Sequence, residues 1–450
     1  MDNSGIYVGL DIGTTSIKVI VAENVNGQMN VIGVGSERSD GMNRGVIVDI
    51  DKASAAIKRA ISVAENKANL KIHEVVAGIP ANLLKIEPCR GMIAIAETSR
   101  EITNQDVINV ANAASVHSLP PEQEVIDVLP DEFVVDGFDG IKDPRGMVGV
   151  RLEMNGTVLT GPKTIIHNTK RAVQQAGLHL TDLILNPLAL GKTVLNDGEQ
   201  DFGTILIDMG AGQTTTSIIH DHHLKYTYVD QEGGEFVTKD ISVVLNTSLS
   251  NAEKLKREYG YAFADGASED GFPVEVVGQS APSQITEKYL AEIIEARLEQ
   301  ILNNAYNHLE NIDALDMPGG VVITGGAAAI PGIQSLAADV FGTNVKLYVP
   351  EPMGLRHPAF SQAFALLNYE NSLSEVDVLA KSAMVAGTRS IPEQQTFESD
   401  ETDPAPQANS ENAHQTSEKA AKKPKQKKES SFSFSGLVAS IKRWFSEFFD

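Results

Sequence analysis

Two short stretches carry the residues best suited to hold a phosphate group. The first is Gly9-Leu10-Asp11-Ile12-Gly13-Thr14-Thr15-Ser16; the second is Leu206-Ile207-Asp208-Met209-Gly210-Ala211-Gly212-Gln213, followed by Thr214. Each reads as an apolar strand, then Asp-x-Gly, then small and hydroxyl residues, then another β-branched strand. A turn rich in Gly and Thr lets backbone N–H groups and hydroxyls approach phosphate oxygens. An Asp at the strand end can hold a hydrated Mg²⁺, an ion that keeps most of its waters and takes few protein ligands. Two such hairpins face to face would clamp a nucleoside triphosphate, with Asp11 and Asp208 holding the ion through water. One hairpin alone reads equally well as an ordinary Gly turn. The two Asp positions are 197 residues apart, a weak internal repeat that points to two related halves in tandem.

A third stretch, Gly319-Gly320-Val321-Val322-Ile323-Thr324-Gly325-Gly326-Ala327-Ala328-Ala329-Ile330-Pro331-Gly332, reads as a buried strand, a Gly-Gly turn and a small-residue helix start. Glycines at 325 and 326 permit close backbone approach to a flat ligand such as an adenosine. His220, His222 and His223 cluster at a turn after the second hairpin. A metal site would need a further ligand of fixed geometry, so a solvated turn is the expectation.

These motifs need a scaffold of strands and helices. Gly5 to Gly13 and Ser16 to Ala22 read as two strands of a hairpin, and Asp51–Lys67 and Gln284–Leu309 have helical apolar spacing. Apolar β-type runs alternate with helical patterns up to about residue 390, the signature of an α/β fold. The 450 residues suffice for two or three domains with a sizeable core. No run approaches 18 consecutive apolar residues, so no transmembrane helix is expected. Met1-Asp2-Asn3-Ser4 lacks a basic and an apolar region, so no secretory signal is expected. The single cysteine, Cys89, cannot form an internal disulfide and reads as a small buried residue in a reducing compartment.

The net charge of −23 argues against general nucleic-acid binding. That charge is uneven: residues 419–450 hold seven Lys and one Arg against three acidic residues, leaving −28 on the first 418. Residues 391–431 are poor in large apolar side chains and are expected to be a disordered linker. Beyond it, Leu437, Ile441, Trp444, Phe445 and Phe448 fall on one helical face, with Val438 and Phe449 beside it and Lys442 and Arg443 elsewhere. A helix this short is marginal alone in water and needs a surface for its apolar stripe. A bulky stripe with cationic flanks is what an interfacial helix on an anionic membrane requires.

The paired hairpins and the late Gly-Gly turn resemble the actin, sugar kinase and heat-shock chaperone ATPase superfamily over residues 5–390. The resemblance implies a two-lobed actin-like ATPase fold with ATP and Mg²⁺ between the lobes. It assigns nucleotide contacts to Asp11, Gly13, Thr14, Thr15, Lys18, Asp208, Gly210, Gly212, Gln213, Thr214, Gly325 and Gly326. It extends them to Gly233 and Gly234, which would open a subdomain of the second lobe. Ala252-Glu253-x-x-Lys256-Arg257 resembles a helix that lies against the adenosine, though the same spacing also suits charge pairs on a solvated helix.

Two features narrow the resemblance. Residues 82–161 are an insert by the actin pattern, with a helical stretch Thr103–Ser115 and strands near Val125–Leu129, Phe133–Val135 and Val148–Met154. The chain also ends in the linker and the basic apolar tail. With Met42-Asn43-Arg44-Gly45-Val46-Ile47, these resemble the bacterial FtsA cell-division family. The implied layout is a first lobe of 1–81 and 162–192, an inserted α+β subdomain of 82–161, a second lobe of 193–390, a linker of 391–431 and a membrane-targeting helix of 432–450.

The implied role is that of a filament-forming, ATP-binding cell-division protein at the cytoplasmic face of the membrane. It would anchor the FtsZ ring there and recruit later division proteins through the insert. Asn186, in Leu185-Asn186-Pro187, stands where relatives place a water-positioning Glu. Asn can orient water but cannot take its proton, so slow hydrolysis at best is expected. A sugar kinase of the same superfamily, or another actin-like membrane adaptor, is the alternative.

Overall fold

The computed structural model describes residues 5–386 apart from 26, 96–98 and 116–118. The first lobe opens with β1 (Ile6–Ile12), β2 (Ser16–Val25), β3 (Gln28–Arg38), β4 (Met42–Asn43), β5 (Val46–Ile47), α1 (Ile50–Ala68) and β6 (Glu74–Ile79). A subdomain follows: β7 (Lys85–Ala94), β8 (Arg100–Glu101), α2 (Asn104–Ser115), β9 (Gln123–Val135), β10 (Phe138–Ile141), β11 (Val148–Gly149) and β12 (Arg151–Pro162). The chain then returns through α3 (Lys163–Gln175), β13 (His179–Leu185), α4 (Asn186–Val194) and α5 (Asp197–Phe202).

The second lobe contains β14 (Thr204–Met209), β15 (Thr214–His220), β16 (His223–Asp230), α6 (Gly234–Val244), α7 (Leu249–Tyr259), β17 (Gly271–Val274), β18 (Ser283–Thr286) and α8 (Glu287–Glu310). It continues with β19 (Val321–Thr324), α9 (Ile333–Phe341) and β20 (Val345–Leu347); α10 (Ser361–Ser372) and α11 (Glu375–Ala386) end the described chain.

The two lobes repeat one sheet plan. In the first the order is β3-β2-β1-β6-β13, and in the second it is β16-β15-β14-β19-β20. Each begins with antiparallel strands joined by the Asp-x-Gly turn, then adds two parallel strands. Register matches as well: Asp11 pairs with Lys18, and Asp208 with Thr215. The duplicated motif thus marks duplicated architecture, with Lys in one copy where the other has Thr. The strand cores are nearly continuous apolar runs, as expected for sheets covered on both faces.

The inserted subdomain has its own four-stranded sheet, β10-β9-β12-β7, and its own core around Phe133, Leu152, Met154 and Val158, covered by α2. Sequence spacing predicts separate strands on either side of Pro130, but β9 is continuous. A register shift between Asn155 and Gly156 takes up the irregularity, and Gly156 faces Pro130. The helix expected from Gln284 begins at Glu287: Thr286 caps it by accepting from Tyr289 N–H, while Gln284 lies in β18. The small-residue helix expected after Gly326 is only a 3₁₀ turn, Ala327–Ala329. Pro331 and the left-handed Gly332 (φ 86°) break it before α9.

After β20 the chain leaves the second lobe, and Ala365, Leu366 and Tyr369 join the core of the first. Helix α10 returns to the first lobe, where a Cβ on Gly9 of β1 would fall 2.7 Å from the Ala363 carbonyl oxygen. Helix α11 then packs Val376 and Ala380 into the core of the insert. Lys381 on α11 reaches Asp127 of β9 at 2.9 Å and Asp182 of β13 at 2.7 Å, tying insert to lobe with one ammonium. Burial pushes the Asp127 carboxyl up to about 6, against the pull of Lys381. Lys381→Met should leave the buried Asp127 and the half-buried Asp182 without their cation and lower the melting temperature by several degrees, measured by calorimetry at pH 8. An unchanged melting temperature would show that the cluster does not tie these elements together.

The linker and the tail face, Leu437 to Phe449, lie outside the described residues. Among the described residues no helix is long and apolar enough to cross a membrane.

Candidate functional site

A cleft of about 570 Å³ runs between the lobes. Its floor is the pair of β-hairpins. Gly13, Thr14, Thr15 and Lys18 line it from the first lobe, and Asp208, Gly210, Gly212 and Gln213 from the second. Both turns use glycine for close approach: a Cβ on Gly13 would fall 2.7 Å from Ser16 O, and one on Gly210 the same distance from Gln213 O. Across the cleft the hairpins touch, since a Cβ on Gly212 would fall 2.5 Å from Thr14 Oγ1.

Asp11 and Lys18 are buried together, with Lys18 Nζ donating to Asp11 Oδ2 at 3.3 Å. Asp208 comes from the opposite hairpin. Burial, followed by the Asp11 charge, pushes its carboxyl up to about 7, against the opposing effect of Lys18. Two carboxylates confined with a single ammonium form an arrangement that a divalent cation would relieve. Gly325 (φ 97°) passes so close to Asp208 that a Cβ would fall 2.3 Å from its Oδ1. The Gly-Gly turn therefore serves first to admit this carboxylate.

The far end of the cleft is lined by Gly325, Gly326, Glu253, Lys256 and Arg257, joined by Ile330, Pro331, His357 and Phe360. Lys256 does not reach out for a ligand. Its Nζ donates to Gly234 O (2.9 Å) and Thr238 Oγ1 (2.7 Å) and pairs with Glu253 (2.7 Å). All three of its donors are occupied, so it pins α7 onto the start of α6. Burial pulls its ammonium below the usual lysine range, with Glu253 working against that. Arg257 is exposed and donates to Glu253 at 2.7 Å.

Two expected residues do not line the cleft. Thr214 turns away, donating from Oγ1 to Glu232 O at 2.9 Å. Gly233 packs behind the second hairpin, where a Cβ would fall 2.5 Å from Gly210 O. Its neighbour Gly234 does line the cleft, and its N–H donates to Gly210 O at 3.0 Å. The glycine pair thus seats α6 against the phosphate hairpin.

Sequence reasoning missed Gly45, His357 and Gln362, which also line the cleft. Gly45 sits inside the quoted Met42–Ile47 stretch, so a signal was present; nothing local marks the other two. His357 Nδ1 accepts from Ala359 N–H at 3.1 Å, leaving Nε2 to carry the proton of the neutral ring. Burial, then Lys18 and Arg257, lower its basicity. The histidine cluster lies elsewhere: Asp221 and His222 adopt left-handed turn conformations, and half-buried His223 pairs with Asp131 of the insert at 2.8 Å instead of being solvated. Among the described residues no group of three metal-capable side chains forms. Burial pushes the Cys89 thiol up to about 11, so it stays protonated at neutral pH.

Several buried polar atoms around the cleft have no hydrogen-bond partner: Asn186 Oδ1, Gln213 Oε1, and both ends of the Gln362 amide. Orphaned buried groups of this kind are costly and point to a polar ligand or water. With the glycine cradles and the Asp pair, they fit a phosphate-bearing ligand with a cation.

Two lobes of one sheet plan, each offering a hairpin to a shared cleft, define an actin-like fold. Solved structures agree: the PilM-PilN type IV pilus biogenesis complex superposes with a TM-score of 0.57 at 17% identity, covering 82% of this chain and 99% of that one. MreB5 of Spiroplasma citri bound to ADP gives 0.50 at 13%, covering 82% and 98%. A relative from Enterococcus hirae, "Cell division protein FtsA", is 53% identical over 451 residues and covers 100% of both chains. The family model described as "Cell division protein FtsA" matches residues 205–365, and that for the "SHS2 domain inserted in FTSA" matches 81–160. The chain belongs to the FtsA family of cell division proteins.

Proposed function

We propose that the cleft binds Mg·ATP and that the nucleotide switches assembly of the chain into filaments on the inner face of the cell membrane. The observation that carries this is the facing hairpin pair, with Asp11 and Asp208 on opposite sides of one cleft beside Lys18. These carboxylates would hold a hydrated Mg²⁺, which would supply positive charge to offset that of the phosphates. Thr14, Thr15, Gly210 and Gly212 would cradle the phosphates, and the Gly325–Gly326 turn with His357 and Phe360 would receive the nucleoside. MreB5 was solved with ADP; for this chain the reading rests on its own cleft residues. Asn186 Oδ1, buried without a partner, supports at most a water-orienting role and slow hydrolysis.

The tail from Leu437 to Phe449 would lie on anionic lipid, and the linker would free the body to turn above the bilayer. Filaments would multiply weak single-helix binding. The body would anchor the FtsZ ring at the septum, and the inserted subdomain would meet neighbouring subunits and later division proteins. Co-sedimentation of the full chain with FtsZ, anionic liposomes and Mg·ATP tests this. FtsZ should pellet with the liposomes only when the chain is present. FtsZ left in the supernatant while the chain itself pellets would refute the anchoring role.

A further inference from the structure

The hairpin of β4 and β5 reaches across the mouth of the cleft. Its tip, Arg44 (φ 46°) and Gly45 (φ 78°), is left-handed at both residues, as a tight two-residue turn requires. Gly45 N–H donates to Thr14 Oγ1 at 2.9 Å. Gly45 also abuts the second phosphate hairpin, where a Cβ would fall 2.2 Å from Gln213 Oε1. Arg44 Nη1 donates to Gln231 Oε1 at 3.0 Å, and its guanidinium stands 5.7 Å from the centre of the Phe236 ring. Thr14 belongs to the first lobe; Gln213, Gln231 and Phe236 belong to the second. One tip therefore touches both phosphate hairpins and the start of α6.

The Thr14 hydroxyl is the link. With its oxygen accepting from Gly45, its proton remains to be donated, and no acceptor among the described residues takes it. On the reading that the cleft binds Mg·ATP, a phosphate oxygen is the natural acceptor. We propose that the Arg44–Gly45 hairpin reads the terminal phosphate: the phosphate fixes Thr14, Thr14 fixes Gly45, and Arg44 fastens the tip to the second lobe. A triphosphate then holds the lobes latched, and a diphosphate leaves the latch loose. Gly45 and Arg44 act here as positioning residues through Thr14.

Each Arg44 contact is exposed and individually modest, so removing it should tune closure without abolishing binding. The test titrates the full-length protein with Mg²⁺ and either ADP or a non-hydrolysable ATP analogue. It compares wild type, Arg44→Ala, Phe236→Leu and the double variant, each first shown to be folded by its melting curve. Arg44→Ala should cut the preference for triphosphate over diphosphate about fivefold while ADP affinity stays within about twofold. The double variant should lose little more than Arg44→Ala alone, because that change already removes the Phe236 contact. An unchanged preference in Arg44→Ala, or equal losses for both nucleotides, would overturn the latch. A wild type that binds neither nucleotide would overturn the nucleotide reading itself, and the latch with it.

Discussion

Replacing Asp208 with Asn should lower Mg·ATP affinity about a hundredfold and at the same time stabilise the ligand-free protein. The two effects share one cause. Asp208 is confined opposite Asp11 with only Lys18 as a cation, and its carboxyl titrates near 7. Its proton is held more tightly in the folded chain than in the unfolded one, so this group favours folding at low pH. That contribution is lost as pH rises from the ordinary carboxylate range through about 7. Metal binding runs the other way, because a cation needs the ionised form. Affinity for Mg·ATP should therefore fall as pH drops below about 7, and Asp208→Asn should flatten that dependence. Calorimetric titration and melting curves at pH 6 and 8 measure both. Unchanged affinity in the folded variant would remove Asp208 from the site.

Truncation after Ser431 should release the protein from anionic liposomes almost completely, with the ATP site untouched. On the proposed reading, the apolar residues between Leu437 and Phe448 would enter the lipid interface. Trp444→Glu should mimic the truncation by placing a charge mid-stripe. Changing Lys442 and Arg443 together to Ser should give a milder loss that grows with salt, since their attraction to the surface is screened. On the same reading the linker of roughly 40 residues would span on the order of 35 Å, enough to uncouple the tail from the orientation of the body. Liposome flotation checks all three. Equal binding by wild type and Trp444→Glu under polymerising conditions would contradict the anchor.

What could be read from the sequence was local. Each Asp-x-Gly hairpin is a single local unit, Ile6–Val25 in the first lobe and Thr204–His220 in the second, so its strands, its turn and its repetition are visible. The lobe to which a helix returns is a long-range fact. Nothing in the sequence around α10 reveals that Ala363 closes over Gly9. The same limit hid His357 and Gln362, which reach the cleft from beyond the last motif. Lys256 shows a different limit. Its spacing from Glu253 allowed either a ligand contact or a charge pair, and the carbonyl of Gly234, 22 residues earlier, claims its ammonium. Pro130 promised a break in β9, yet a register shift opposite Gly156 lets the strand continue. Gly45 belongs to a short motif, but its close approach to Gln213, 168 residues away, is not written there.

One measurement links the cleft to the membrane. Co-sedimentation with anionic liposomes would be scored with and without Mg·ATP for the full chain and for Asp208→Asn. Mg·ATP should raise the bound fraction of the wild type by promoting assembly, and leave that of Asp208→Asn near its nucleotide-free level. Binding that ignores Mg·ATP in the wild type, or a full response in Asp208→Asn, would show that the cleft does not control membrane attachment.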